Sequence, residues 1–103
     1  MVRPLNGSDE RARALALLEA THQFPVDYAL SVITLNDEVV VAAVRAAIDE
    51  GLDGPLAEDS HVTVLSSGGK YSSHRFQVPC ADASAVLDLY ARLRRVKGVV
   101  TIL

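Results

Sequence analysis

The chain has 103 residues, half of them apolar and 22% charged, with a formal charge of −3 and one cysteine. A chain of this length buries about two thirds of its unfolded surface and needs no staple to fold, and its mixture of apolar and charged residues argues against disorder. The acidic balance argues against nucleic-acid binding, which requires a clustered excess of Lys and Arg.

The lone Cys80 cannot close an intramolecular disulfide, and Arg11 and Arg13 interrupt the one leucine-rich stretch near the amino end that could resemble a secretory signal. A cytoplasmic protein is expected. The longest apolar run, residues 39–48, is broken by Arg45 and falls short of the roughly 18 residues a membrane span needs.

In chain order, Ser8 can cap a helix with Asp9 and Glu10 in its first turn and Ala14, Leu15, Leu17 and Leu18 on one side. Residues 1–23 thus form a helical extension ahead of a domain spanning 24–103. Phe24-Pro25 leads into a first strand over 27–34, since the residue before proline is pushed into extended geometry. Asn36 is the expected cap of the next helix, whose stripe is Val40, Val41, Val44, Ala47 and Ile48. Gly51 ends it, and a loop through Asp53-Gly54-Pro55 reaches a short strand, His61 to Leu65.

A hairpin through Ser66-Ser67-Gly68-Gly69-Lys70 opens the third strand at Tyr71. Asp82 or Ser84 caps a further helix with Val86, Leu87, Leu89, Tyr90 and Leu93, and Gly98 releases the chain into a last strand. The basic run Arg92, Arg94, Arg95 and Lys97 reads as complementing that helix's negative end. After the extension the order is βαββαβ, which predicts a ferredoxin-like α+β sandwich: four antiparallel strands backed on one face by two helices.

In the third strand Ser72, His74, Phe76 and Val78 must face the core. A two-residue turn at Gly68-Gly69 would put His61 and Thr63 on that face and leave Val62 and Val64 outside. A three-residue turn with a bulge reverses this, and the value of burying two valines favours the bulge.

Phe24-Pro25, Ser66-Ser67, Gly69, Tyr71, Leu87-Asp88, Tyr90 and the apolar end at Leu103 together carry a likeness. Over residues 24–103 the chain resembles the YbeD-like family of small bacterial proteins of unassigned function. The resemblance implies a ferredoxin-like domain similar to the ACT domains that regulate amino-acid enzymes, and it implies no catalytic residues.

The residues themselves point away from chemistry. Gly68-Gly69-Lys70 lacks the spacing, the following Ser or Thr and the helix of a phosphate loop. His22, His61 and His74 match no compact metal-ligand motif, and adjacent carboxylates such as Asp49-Glu50 point apart on a helix. No Ser, His and Asp arrangement can be assembled, so no enzyme, metal or cofactor is expected.

The remaining signal is the open face of the sheet, with Ala29, Ser31, Ile33, Tyr71, Ser73 and Arg75 joined by one parity of the last strand. Either the amino-terminal helix covers it through Leu15 and Leu18, or a second subunit or partner does. The expected function is that of a non-catalytic regulatory or adaptor module acting through protein–protein contact, as a homodimer or with another protein. The alternative is an ACT-like amino-acid sensor, with the ligand bound between residues 35–37 and a neighbouring subunit. The candidate contact residues are Leu35, Asn36 and Asp37 after the first strand, Ser66, Ser67, Gly69, Lys70 and Tyr71 in the hairpin, and Arg75 on the open face.

Overall fold

The computed structural model describes residues 7–66 and 68–103. The chain is α+β: helices α1 (Gly7–Thr21), α2 (Glu38–Asp49) and α3 (Ala83–Arg94), and strands β1 (Val26–Leu35), β2 (His61–Leu65), β3 (Tyr71–Cys80) and β4 (Val99–Ile102). The strands form one antiparallel sheet in the order β2-β3-β1-β4.

Alternation along the two long strands sets the layers. Leu30, Val32 and Thr34 of β1 and Ser72, His74, Phe76 and Val78 of β3 are buried on one face, because side chains two apart share a side. Against them lie Val44 and Ile48 of α2 and Val86, Leu89 and Leu93 of α3, so both helices back the same face. Val40, Val44, Ala47 and Ile48 are buried as the stripe predicts, with Val41 at its half-buried margin.

The helix ends correct one expected cap and choose between two others. Asp37, not Asn36, caps α2, its carboxylate accepting the Val39 N–H at 2.8 Å. Asn36 is held back by its own backbone, whose N–H donates to the Lys70 carbonyl. Asp37→Ala should therefore cost about 1 kcal/mol, read from a urea midpoint. Asp82 caps α3 by accepting the Ala85 N–H at 2.8 Å. Arg92 and Arg94 lie in the last turn of α3 as expected, but Arg92 also reaches the end of α2, its Nε donating to the Ala47 carbonyl at 2.7 Å. Its guanidinium lies against Gly51, where any side chain would collide with it.

α1 already includes Gly7, so Ser8 lies within the helix and not at its cap. This helix packs beside α3 and does not lie over the open sheet face. Arg11 Nη2 donates to Ser84 Oγ at 2.9 Å and to Asp88 Oδ1 at 3.3 Å, Leu18 packs against the core, and Leu17 faces solvent. Beyond α1, His22 packs on the rings of Phe24 and Tyr28.

The hairpin takes the register that burying valines disfavours. His61 pairs with Phe76, Val62 with Arg75, Thr63 with His74 and Val64 with Ser73. Val62 and Val64 are each 54% exposed. The turn closes through Gly69 N–H donating to the Ser66 carbonyl at 3.0 Å, with Gly69 at φ 71°, a left-handed conformation that suits glycine. No bulge interrupts the β2–β3 pairing. The irregularity is instead in the β1–β4 pairing between Ile33 and Thr34, so neither parity of β4 faces outward throughout: Thr101 pairs beside outward Ile33, and Val100 is exposed.

Candidate functional site

The structure gathers most of the expected contact residues at one corner. Leu35 pairs with Tyr71 across β1 and β3, and Leu35 N–H donates to the Gly98 carbonyl on its other side. The Asn36 side-chain amide donates to the Gly69 carbonyl at 2.8 Å, which ties the β1–α2 loop to the hairpin. Tyr71 N–H donates to Ser66 Oγ, and the Lys70 ammonium lies 5.4 Å from the Tyr71 ring centre. Asp37 is engaged as the α2 cap. Ser67 lies outside the described residues. Arg75 is apart from this corner, on the open face opposite Val62.

Behind the corner runs a line of hydrogen bonds through the buried side of the sheet. Arg45 Nη1 lies 2.9 Å from His61 Nδ1. A guanidinium can only donate, so that nitrogen accepts and His61 carries its proton on Nε2. Nε2–H then donates to His74 Nδ1 at 2.9 Å, which places the His74 proton on its own Nε2, donating to Ser72 Oγ at 2.7 Å. Ser72 Oγ is 3.2 Å from Thr34 Oγ1, whose hydroxyl donates to the Leu35 carbonyl at 2.8 Å. Thr63 Oγ1 sits 3.2 and 3.1 Å from the two bonded imidazole nitrogens.

Every donor in this line points the same way, from α2 to the end of β1. Both imidazoles must be neutral for it to close. Burial, then His74 and Arg45, lower the pKa of His61, and burial lowers that of His74. His61 also stacks on Phe76, with ring centres 4.3 Å apart. Thr34, Ser72 and His74 are buried, His61 and Arg45 are half-buried and Thr63 is exposed, so the line runs from the surface at β2 into the core.

The outward face carries Val62 and Val64 of β2, Ser73 and Arg75 of β3, Ala29, Ser31 and Ile33 of β1, and Leu103 beyond β4. Leu103 exchanges two backbone hydrogen bonds with Ser31 and is 71% exposed. A hollow of about 390 Å³ opens among Ala29, Ser31, Val62, Arg75, Gln77 and Leu103. Among the described residues Arg75 has no ion pair. A wider hollow of about 820 Å³ lies by Pro25, Leu52, Pro55 and Cys80, where burial raises the Cys80 pKa. Among the described residues, no cluster of three His, Cys, Asp or Glu side chains could hold a metal, and no helix is long and apolar enough to cross a membrane.

A four-stranded antiparallel sheet with helices on one face, and a second face that no helix among the described residues covers, defines a small α+β module whose accessible features are a surface and a corner. The family model described as "Protein of unknown function (DUF493)" matches residues 19–103, and the chain belongs to this family, the YbeD-like small proteins of unassigned function. No curated protein matches the chain.

Proposed function

We propose that the protein is a non-catalytic regulatory or adaptor module, a ferredoxin-like domain that acts by protein–protein contact through its open sheet face. The observation that carries this reading is the exposure of Val62, Val64 and Leu103 on a face that α1 leaves uncovered by packing against α3. Among the described residues Arg75 stands beside these apolar side chains without an ion pair, with Asp59 lining the same hollow. A cation within an apolar surface suits a partner that brings a carboxylate.

Amino-acid sensing at residues 35–37 has less support. Asn36 and Asp37 already satisfy neighbouring backbone groups, and the Ser66 hydroxyl receives Tyr71 N–H.

Affinity capture from the source cell, comparing the native chain with Ala29→Glu/Arg75→Glu, tests the contact reading. Both positions are exposed, so the melting midpoint should move little. The expected result is a set of proteins held by the native chain and lost by the variant. Identical capture by both chains would overturn the reading. A melting shift with an amino acid, unaffected by the face variant, would favour sensing.

A further inference from the structure

β2 is an edge of the sheet, and its bonding phase can be read from the hairpin. Ser66 N–H donates to the Tyr71 carbonyl at 2.9 Å. Residues two apart on an antiparallel strand share their direction, so Val64 and Val62 bond to β3, while His61, Thr63 and Leu65 turn their backbone groups outward. His61 N–H is taken by the Glu58 carbonyl. Among the described residues, nothing pairs with the N–H groups of Thr63 and Leu65 or with the outward carbonyls of β2.

Natural edges are guarded by charge, proline or a bulge. The run His61-Val62-Thr63-Val64-Leu65 contains no proline, carboxylate, lysine or arginine, and its pairing is regular. Leu65 adds an observation that the open face does not explain. It shares its side of the strand with His61 and Thr63, the side backed by helices, yet it is 58% exposed. The end of β2 overhangs the helix layer.

The charges flanking β2 are opposite in sign. Glu58 and Asp59 lie in the 3-10 turn that enters it, and Lys70 lies in the turn that leaves it. An antiparallel neighbour of the same sequence would bring each acidic entry beside a basic exit.

We propose that a second copy of this chain docks along β2, antiparallel, about a two-fold axis at Thr63. This rests on the contact reading and names its first partner. Thr63 pairs with the partner's Thr63 through both backbone groups, and Leu65 N–H reaches the partner's His61 carbonyl. Val62 lies opposite the partner's Val64, a β-branched pair of the kind that stabilises sheets. Leu65 gains cover from the partner, and Glu58 and Asp59 face the turn carrying the partner's Lys70. The two sheets become one, with both open faces on the same side.

Light scattering and amide hydrogen exchange on the full chain over a concentration series test this. The mass should rise from the single-chain 11.0 kDa towards twice that value, with the Thr63 and Leu65 amides gaining protection in step. Val64→Lys, a charge on the edge, should return the single-chain mass, with a melting midpoint equal to that of the native chain at dilutions where the native chain is single. Lys70→Glu should weaken association about tenfold, because the reversed charge is met twice across the axis, and adding Glu58→Lys and Asp59→Lys should restore it. A single-chain mass throughout, or a dimer whose Thr63 and Leu65 amides exchange freely, would overturn the proposal. Capture of other proteins by the open face can survive either result, so the two readings fail separately.

Discussion

Replacing His74 by alanine should destabilise the domain by about 3–5 kcal/mol, a large part of the 5–15 kcal/mol typical of a domain. His74 is 1% exposed, and two effects add. Removing the ring leaves a cavity beside Phe76. It also takes from His61 Nε2–H its closest acceptor, leaving only the longer 3.2 Å contact with Thr63 Oγ1, and it strips Ser72 Oγ of the proton it accepts. His74→Phe separates the two, since it refills the volume but accepts and donates nothing at those positions. A urea midpoint intermediate between native and alanine variants is expected. Full recovery with phenylalanine would show that packing alone holds the site.

The same line of bonds predicts a pH dependence. Both histidines have pKa values lowered from 6.5 in the folded chain, so below pH 6.5 the unfolded chain binds protons that the folded chain refuses. Their contribution is present in full above pH 6.5. It is lost as pH falls towards the folded values, with a slope of at most about 1.4 kcal/mol per pH unit for each histidine. Arg45 faces His61 from α2, and Thr63, Ser72 and Thr34 face the pair from the strands. None of these is a carboxylate that would favour the charged ring. His74→Phe should flatten the slope by the share that His74 carries, and an unchanged slope would remove that histidine from the account.

The second large effect lies at Gly98. Gly98→Ala should cost about 2–4 kcal/mol, because φ is 99° there and an added Cβ would lie 2.6 Å from Val40 Cγ2. The Gly98 carbonyl also receives Leu35 N–H, so relief by backbone movement would disturb the corner. In a double-mutant cycle with Val40→Ala the two costs should be less than additive, since only the first contains the clash. Strict additivity would place the whole cost in the backbone conformation.

The sequence reads well where one residue type serves one purpose. The stripe of α2 and the alternation of β1 and β3 follow from apolar spacing, and the α3 cap is narrowed by residue type to Asp82 or Ser84, of which the structure uses Asp82. It reads poorly at β2, where two purposes compete. Weighing Val62 and Val64 as hydrophobes favours the bulged register, yet the regular register wins. It lets His61 stack on Phe76 and lets Thr63, His61, His74 and Ser72 satisfy one another.

The signal was present in the pattern His61-Val62-Thr63 facing His74-Arg75-Phe76, whose polar residues are mutually complementary. Strand alternation alone places His74 on the core face, but it does not pair that ring with His61. The expected cap at Asn36 fails for a related reason: its side-chain amide is committed to a hairpin carbonyl 33 residues away, which leaves Asp37 to cap α2. α1 shows no strong apolar stripe, and the Arg11 contacts that tie it to α3 reach Ser84 and Asp88, far along the chain.

The strand order has a bearing on how the chain folds. β1 is the first strand made, and it lies between β3 and β4, the last two. Until residues 71–80 emerge it has no strand to pair with, and until 99–102 emerge it keeps a bare flank. Among the described residues the only local strand pairing is the β2–β3 hairpin. Closing the sheet around β1 therefore requires loops that span most of the domain, and such non-local closure slows folding. During synthesis the apolar side chains of β1 wait longest for cover, which makes this strand the segment most exposed to holding chaperones and to misassociation.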